Sequence, residues 1–238
     1  MPYSVMNLLE LARFLGIDQR RVERMAQRGE IPCRKIGGQL RFNQAELTEW
    51  LQQHMPELDR IKLADMDAGI GAHRQTETTD TLVVPLLRPE AVTAELGART
   101  KNSVLKELVA LAHETGLLYD GELLLEAVFH REELCSTAMP GGIAVPHPRR
   151  PLPYAVAEPI LVVARTASGI GFGAPDGRLT DLFFLTCSQD DRHHLHILAR
   201  LCRLLQNNEF VIDLREAATT EEMISLIRRR ESEVITES

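Results

Sequence analysis

Residues 141–149 read Gly-Gly-Ile-Ala-Val-Pro-His-Pro-Arg, so that one histidine, His147, follows a short apolar run inside a turn rich in glycine and proline. The apolar run 143–145 predicts a brief buried strand, and Pro146 ends it. We expect the turn to keep an edge of the imidazole near solvent while the strand fixes its position. Imidazole titrates near neutral pH, so part of the population is a neutral nucleophile under cell conditions. These residues alone allow two interpretations of His147, a reactive histidine or an ordinary polar loop residue.

The composition limits the classes of protein that fit the chain. With 238 residues, of which 44% are hydrophobic, the chain can form one large or two modest domains. No apolar run approaches the roughly 20 residues that span a bilayer. The N-terminus also lacks a basic segment followed by an apolar one, so we expect a cytoplasmic protein without membrane insertion. The four cysteines lie far apart without a CxxC pair, which argues against a zinc site and a disulfide framework. Neither a metal nor a cofactor is expected.

Charge is distributed unevenly along the chain. The formal net charge is -7, but from Arg13 to Arg41 eight basic residues outnumber three acidic ones, which gives a local net charge of +5. The rest of the chain therefore carries about -12. The total argues against a protein that coats nucleic acid, whereas the split predicts two units with different partners.

The basic segment has the pattern of a helix-turn-helix followed by a strand pair. Apolar residues at helical spacing predict a first helix that Gly16 breaks, and Asp18 can cap a second helix that runs to about Arg28. This second helix has a polar face that could enter a major groove of DNA. Two alternating strands around Gly37-Gly38 follow, and a third helix covers 44–51.

Across residues 5–51 this order of features resembles the excisionase or MerR-like winged helix-turn-helix family. The resemblance rests on Leu11-Ala12-Arg13-Phe14-Leu15-Gly16-Ile17, Val22, Arg28-Gly29-Glu30-Ile31-Pro32, Lys35-Ile36-Gly37-Gly38, Arg41-Phe42, Leu47, Trp50 and Leu51. Modules of this family generally bind DNA. The resemblance implies contacts to DNA from a recognition helix and a wing: Arg20, Arg21 and Arg24 on the helix, and Arg34, Lys35 and Arg41 on or beside the wing.

Two points about this basic surface stay open. The residues alone also allow the arginines to be the solvated face of a small helical domain, without a nucleic acid partner. If the unit does bind DNA, one small domain with few phosphate contacts would bind weakly. A homodimer on a symmetric site is therefore a further hypothesis.

After the first unit, hydrophobic periodicity fades over residues 56–80. The stretch 66–80 is polar, small and Gly-containing, which is typical of a linker. A β-rich run at 81–87 then predicts that regular structure resumes with a strand.

Helical and strand patterns alternate in the rest of the chain. Apolar, β-branched and aromatic residues predict strands at 158–164 and 180–186, and apolar spacing predicts a long helix at 191–206. We therefore expect a mixed α/β (α+β) architecture with helices packed on a sheet. The predicted segments are a helix-turn-helix domain at 1–55, a linker at 56–80 and a mixed α/β domain at 81–238.

Residues 83–227 resemble the enzyme IIA domain of the fructose/mannitol class of the phosphoenolpyruvate-dependent phosphotransferase system, and more specifically its nitrogen-regulatory IIA branch. The resemblance rests on the stretch around His147 and on four others: Phe-His-Arg-Glu-Glu-Leu-Cys-Ser-Thr at 129–137, Lys-Asn-Ser-Val-Leu-Lys at 101–106, Thr-Asp-Leu-Phe-Phe-Leu at 180–185, and His-Leu-His-Ile-Leu-Ala-Arg-Leu at 194–201 with Asn-Glu-Phe at 208–210. It implies an IIA-type mixed β-sheet flanked by helices.

The resemblance also implies a phosphocarrier. The imidazole of His147 would attack the phosphoryl group on a histidine of a small HPr-type donor protein and hold it temporarily. Arg131 matches the family's active-site arginine and would neutralise the phosphoryl oxygens with its fork of donors. His194 matches the second active-site histidine and would hydrogen-bond the nucleophile or the phosphate. Ser136 and Thr137 could add hydroxyl and backbone donors.

Some of these residues have a second interpretation. Arg131 could be a cation that stabilises the end of a helix. His193, His194 and His196 could suggest a metal site, but they do not share one helical face at i, i+4 spacing and no carboxylate or thiol clusters with them. The spacing therefore argues against metal.

The chain departs from the family pattern in the loop that carries the histidine. Pro148 follows His147 where a glycine is common, and proline offers no N–H to a phosphate. Cys135 stands in place of a usual glycine, and Ala138-Met139-Pro140 replaces a turn with glycine and asparagine. We expect a stiffer loop and either slower phosphate capture or a different donor.

Two functions from different classes follow. In the first, the chain is a cytoplasmic regulator, and phosphorylation of His147 changes the behaviour of the attached DNA-binding unit. In the alternative, it is a phosphocarrier that feeds a sugar transporter and uses its N-terminal module for protein docking. Either would be a phosphoryl-accepting carrier rather than a metabolic enzyme. A third possibility, a histidine-nucleophile hydrolase or metal enzyme, lacks a recognisable carboxylate partner or ligand set.

Overall fold

The computed structural model of the protein describes residues 5–71 and 82–236. The N-terminal unit contains β1 (Val5–Met6), α1 (Leu8–Leu15), α2 (Gln19–Gln27), β2 (Arg34–Ile36), β3 (Gln39–Asn43), α3 (Gln44–His54), a 3-10 turn (Met55–Glu57) and α4 (Arg60–Gly71). The C-terminal unit contains β4 (Leu87–Leu96), α5 (Lys101–Glu114), α6 (Gly121–Leu134), β5 (Ala138–Met139), β6 (Ile143–Ala144), β7 (Ile160–Ile170), β8 (Thr180–Cys187), α7 (Asp191–Leu205), α8 (Asn208–Glu216) and α9 (Thr220–Thr236).

Local capping forms the predicted helix-turn-helix. The side chain of Asn7 accepts a hydrogen bond from the N–H of Glu10, whose carboxylate accepts from the N–H of Asn7 at 2.7 Å, so a capping box starts α1. Gly16 ends α1 with a φ of 64°, which glycine adopts without steric cost. Asp18 then caps α2 by accepting from the N–H of Arg20 at 2.9 Å. The predicted helix pair is confirmed.

A small antiparallel sheet completes this part of the N-terminal unit. β3 pairs with β2 across the Gly37-Gly38 turn and with β1 on its other edge, so the strand order is β1-β3-β2. The predicted hairpin is confirmed. β1 has only two residues, too few for an alternating pattern, and its place becomes visible only because Met6 pairs opposite Phe42.

Helix α4 corrects the prediction of a linker over 56–80. The segment Arg60–Gly71 is helical, and residues 72–81 lie outside the described part of the chain. Its buried apolar residues are Leu63, Met66 and Ile70. The carboxylate of Asp67 is buried as well and pairs with arginines of α7. The sequence pattern missed this helix because a polar residue that would ordinarily face water here lies against partners far along the chain.

The C-terminal unit is built on a five-stranded sheet in the order β4-β7-β8-β6-β5. β4 is parallel to β7, β7 is antiparallel to β8, β8 is parallel to β6, and β6 is antiparallel to β5. Helices α5 and α6 pack on one side of this sheet, while α7, α8 and α9 pack on the other. The hydrophobic core on the α7 side continues into that of the N-terminal unit, where Leu11, Val22 and Phe42 belong to the same cluster. The predicted mixed α/β architecture is confirmed.

The predicted strand at 81–87 starts later than the sequence suggests. Val84–Leu86 form a 3-10 turn, and β4 begins at Leu87. The carboxylate of Glu231 on α9 accepts hydrogen bonds of 2.8 Å from the backbone N–H groups of three consecutive residues, Leu82, Val83 and Val84. Donors bound to one carboxylate cannot serve a neighbouring strand, which explains the turn. Within residues 5–71 and 82–236, no helix combines the length and the apolar character needed to cross a bilayer.

Candidate functional site

His147 lies in an irregular segment, three residues beyond the end of β6. The backbone N–H of Val145 donates to the carbonyl oxygen of Thr137 at 3.1 Å, and the N–H of Thr186 donates to the carbonyl oxygen of Pro146 at 3.0 Å. The first bond joins Val145 to the residue before β5, and the second joins Pro146 to β8. The backbone that carries the imidazole is therefore fixed by the sheet itself.

The imidazole of His147 is oriented by its own backbone. Nδ1 lies 2.7 Å from the carbonyl oxygen of Val145, which can only accept, so the proton of the neutral ring is on Nδ1. Nε2 then carries the free lone pair. It is buried and has no hydrogen-bond partner among the described residues. The geometry presents one unoccupied nucleophilic nitrogen.

The structure contradicts the expectation that an edge of this ring lies near solvent. His147 is 3% exposed. Gln52 of α3 and Met55 of the following turn line the same cavity as His147, so the N-terminal unit lies next to this part of the site.

His194 lies on the first turn of α7, and its ring is next to that of His147. Asp190 caps this helix by accepting from the N–H of His193 at 2.9 Å. The ring centroids of His147 and His194 are 5.2 Å apart. The structure therefore brings together the two histidines that lie 47 positions apart in the sequence, as the resemblance implied.

Both histidines are held neutral. Burial, followed by the electrostatic effects of His194 and Arg131, places the pKa of His147 well below its ordinary value of 6.5, against the opposing effect of the Val145 carbonyl. Burial and then Arg131 lower the pKa of His194 to about 4, although Asp190 acts in the opposite direction. At neutral pH the pair is uncharged, and Nε2 of His147 is unprotonated.

Arg131 lies in the last turn of α6 and shares a cavity of about 480 Å³ with His147. Its side chain is buried, and its guanidinium donates to the carbonyl oxygen of Cys135 at 2.6 Å. This bond at the end of α6 fits the second interpretation of Arg131, a cation that stabilises the end of a helix. The remaining N–H groups of the guanidinium leave donors for a second role, so the two interpretations are compatible.

Ser136 and Thr137 line the same cavity, but their hydroxyl groups donate elsewhere. Ser136 Oγ donates to the carbonyl oxygen of Phe172 at 2.6 Å. The hydroxyl and the backbone N–H of Thr137 both donate to the carboxylate of Glu132, which pairs with Lys101 at 2.8 Å. In this arrangement the two residues shape the loop, and neither hydroxyl is free to donate to another oxygen.

Gln52 is a site residue that sequence reasoning missed. Its side-chain amide lies 2.8 Å from Nε2 of His194 and 3.4 Å from the carbonyl oxygen of Arg149. The residue is 5% exposed although it stands on a helix of a different unit. Its separation of 142 residues from His194 left no local pattern to detect. The only signal was a polar residue on the helix face that also carries Leu47, Thr48 and Leu51.

The three histidines of α7 have separate partners. His193 Nδ1 lies 2.5 Å from Asp190 Oδ2, and His196 Nε2 lies 3.1 Å from Asp67 Oδ1, whereas His194 points toward His147. Among the residues that the structure describes, no three groups of the His, Cys, Asp or Glu type are placed to hold a metal ion.

The six basic residues assigned to DNA contact differ in their surroundings. Arg20, Arg24 and Lys35 are exposed. Arg21 forms an ion pair with Asp65 of α4, and Arg34 forms one with Glu46 at 2.9 Å. Arg41 donates to the side chain of Gln39 at 2.6 Å and to the carbonyl oxygen of Leu40 at 3.3 Å. Arg34 is exposed as well in spite of its ion pair, so the exposed cations lie on α2 and on β2, while Arg21 and Arg41 are partly buried.

Comparisons with known proteins agree with this architecture. Residues 85–230 match the family model described as "Phosphoenolpyruvate-dependent sugar phosphotransferase system, EIIA 2", and residues 5–55 match "Helix-turn-helix domain". The chain is 32% identical over 149 residues to a nitrogen regulatory protein of Bradyrhizobium diazoefficiens, covering 61% of this chain and 94% of that protein. It is 27% identical over 151 residues to the fructose-specific EIIABC component of Bacillus subtilis, covering 63% of this chain but only 23% of that protein.

Solved structures share the fold of the C-terminal unit. The crystal structure of nitrogen regulatory protein IIA-Ntr from Neisseria meningitidis matches with a TM-score of 0.55 and 24% identity, covering 62% of this chain and 99% of that one. IIA mannitol from Escherichia coli matches with a TM-score of 0.53 and 20% identity, covering 59% and 98%. Because this family model covers more than half of the chain, the chain belongs to the EIIA 2 family of the phosphoenolpyruvate-dependent sugar phosphotransferase system and carries an N-terminal helix-turn-helix domain.

Proposed function

We propose that His147 accepts a phosphoryl group on Nε2 from an HPr-type carrier protein in the cytoplasm. The observation that carries the proposal is the fixed imidazole. Its Nδ1–H donates to the Val145 carbonyl, its Nε2 has no hydrogen-bond partner among the described residues, and its side chain lines a cavity together with Arg131. Family membership supports the same assignment.

The transfer needs only a positioned nucleophile and a stabilised phosphoryl group. The lone pair of Nε2 attacks phosphorus while the P–N bond to the donor's histidine breaks, and that electron pair returns to the donor's imidazole. A positive charge develops on the His147 ring as the new P–N bond forms. The Val145 carbonyl oxygen, which accepts from Nδ1–H, stabilises this charge. Because the ring is neutral beforehand, no proton has to leave Nε2 first.

Arg131 and His194 are the proposed partners of the phosphoryl oxygens. The guanidinium of Arg131 supplies a positive charge and donors not used by Cys135, and burial strengthens their effect on a charged group. Neutral His194 can donate or accept from within 5.2 Å of the His147 ring, as measured between centroids. Pro148 has no N–H, so the oxygens depend more on Arg131 than a glycine-containing loop would require. Ser136 and Thr137 are proposed contacts only if their present bonds rearrange.

The phosphoacceptor can be tested directly. The full chain is incubated with an HPr-type protein, enzyme I and phosphoenolpyruvate, and acid-labile phosphate is measured on wild type, on His147→Ala and on His130→Ala. His130 is exposed and provides the matched control. We expect label on wild type and on the control but none on His147→Ala. Label that persists on His147→Ala would refute the site.

We further propose that the N-terminal unit binds DNA, so that the phosphoryl group acts as a signal. The support is the helix-turn-helix match together with the exposed Arg20, Arg24 and Lys35 on α2 and the wing. Binding to a pool of random-sequence duplex DNA is measured by gel shift at several salt concentrations, with sedimentation to test for the proposed homodimer. Binding should weaken with salt and in Arg24→Ala, but not in Arg178→Ala, which removes an exposed arginine of the other unit. No shift at low salt would exclude this role.

The second candidate function is a carrier for a sugar transporter. It is favoured by the similarity to the fructose-specific EIIABC component of Bacillus subtilis. In that case the phosphorylated chain should support transporter-coupled sugar phosphorylation, and the DNA experiment should be negative. The reverse pair of results supports the regulator.

A further inference from the structure

The N-terminal unit is bound to the surface through which a phosphoryl group would have to arrive. Three contacts of α3 fix it there. Gln52 lies against His194 at 2.8 Å, Glu49 accepts from the guanidinium of Arg149 at 2.5 Å, and Gln44 donates to Asp191 at 3.0 Å. All three partners lie within two sequence positions of His147 or in the first turn of α7. The contacts of α3 therefore follow the outline of the candidate site.

Helix α4 anchors this arrangement from the side. Asp67 is completely buried and accepts from Arg200 at 2.7 Å and from Arg203 at 2.6 Å, both on the helix that carries His194. On its other side α4 touches the helix-turn-helix backbone to backbone. A Cβ on Gly69 would lie 2.5 Å from the carbonyl oxygen of Gly16. Thus α4 connects α1 with α7 through close contacts on both sides.

This docked arrangement is incompatible with phosphoryl delivery by a protein. A donor histidine must bring phosphorus to about 3 Å from Nε2 and in line with the forming bond. Here Nε2 is buried, His194 is 0% exposed, and Gln52 occupies the space in front of His194. The surface next to His147 that a donor would need is the surface that α3 covers.

We propose that the N-terminal unit acts as a built-in cover of the phosphoryl site, which an HPr-type donor must displace, so that docking of this unit and phosphorylation of His147 exclude one another. This inference rests on the proposed function and adds its regulation. Phosphorylation adds about two negative charges, and Glu57 of the covering unit lines the same cavity. The phosphorylated site therefore disfavours redocking, and by linkage whatever favours the docked state slows phosphorylation.

The cover can be tested without any donor. Diethyl pyrocarbonate modifies accessible imidazole nitrogens, and peptide mass spectrometry reports the rate at each histidine of the full chain. In wild type we expect His147 to react at least about ten-fold more slowly than the exposed His130, since only an open minority can react. Equal rates at the two histidines in wild type would overturn the proposal, whatever the behaviour of any variant.

A charge-swap cycle identifies the contact responsible. Glu49→Lys and Arg149→Glu each replace the ion pair with two like charges, and each should raise the reactivity of His147 about five- to ten-fold. The double variant Glu49→Lys/Arg149→Glu restores opposite charges and should return His147 to slow modification. Circular dichroism establishes that each variant is folded. Folded single variants that leave His147 as protected as in wild type, or a double variant that stays open, would contradict the cover.

The same variants separate this inference from the proposed function. With the HPr-type donor, Glu49→Lys should be phosphorylated several-fold faster than wild type, because the undocked population is larger. If Glu49→Lys exposes His147 to diethyl pyrocarbonate but no variant accepts phosphate, the cover stands and the phosphocarrier function fails. If phosphorylation occurs at one rate in wild type and in an exposed Glu49→Lys, the function stands and the cover fails.

Discussion

Acidification should destabilise this protein through His194. The folded chain keeps the pKa of this side chain at about 4, whereas the unfolded chain restores its ordinary value of 6.5. Between these values the unfolded state binds a proton that the folded state does not, so the free energy of unfolding falls as the pH falls from about 6.5 toward 4 and then levels off. At pH 5 the unfolded side chain is almost fully protonated. The loss relative to pH 7 is about 2 kcal/mol from this residue alone, and His147 adds a loss of the same sign.

The measurement is urea unfolding at pH 7, 6 and 5 for wild type, His194→Gln and His113→Gln. Glutamine keeps a polar side chain at position 194 but cannot take up the proton. The pH-dependent loss should therefore shrink by about 2 kcal/mol in His194→Gln and stay unchanged in His113→Gln, where an exposed histidine is removed. If wild type and His194→Gln lose the same stability between pH 7 and pH 5, the assignment of a neutral, buried His194 is wrong.

Three other substitutions test the contacts around the site. Gly69→Ala should lower the free energy of unfolding by about 1–3 kcal/mol, because the new Cβ meets the backbone of Gly16. Gly97→Ala is the control: its Cβ would lie 3.8 Å from the nearest side-chain atom, and the melting temperature should change little. Equal effects of the two substitutions would argue against the close helix contact. Asp67→Asn should cost about 3 kcal/mol in urea unfolding, since it weakens the neutralisation of buried arginines of α7; a neutral result would mean that α4 is not anchored there. Arg131→Lys should slow phosphorylation by about 10²-fold, because it keeps a charge but loses the donor fork, and an unchanged rate would remove Arg131 from the mechanism.

The elements that local signals specify were predictable. Asn7 and Asp18 start the first two helices and Gly16 ends the first, through bonds to residues two to four positions away, and the Gly37-Gly38 pair closes its hairpin locally. The apolar β7 and β8 likewise occupy the sheet centre that their composition indicates. In these cases the chemistry that fixes the structure lies within the window that a sequence pattern covers.

The elements that depend on distant partners were not predictable. The sequence of α4 resembles a linker because it contains the polar residue Asp67. Burial of the Asp67 carboxylate is favourable only because it pairs with arginines more than 130 positions away. The 3-10 turn after residue 83 depends on a carboxylate of α9, 147 positions away from its last donor. In both cases the local structure depends on a buried carboxylate and its distant partners, and the spacing of hydrophobic residues does not reveal such a group.

The candidate site also contains features that local sequence patterns predict and features that they do not. His147, Arg131 and His194 were found from motif order, and the structure brings them together. Their burial was not foreseen, and Gln52, which contacts His194 from a helix of the other unit, has no motif of its own. The turn residues around His147 led to the expectation of an exposed ring, whereas the ring is 3% exposed in the folded chain, where the two units share one hydrophobic cluster.

Every proposed step depends on transfer of the phosphoryl group to Nε2 of His147. Phosphorus and nitrogen NMR of the phosphorylated chain, with histidine labelled at both ring nitrogens, locates the P–N bond and reports whether Nδ1 still carries its proton. We predict a bond at Nε2 of His147, with Nδ1–H still donating to the Val145 carbonyl. A phosphoryl group on Nδ1 of His147, or on any other side chain, would contradict the account.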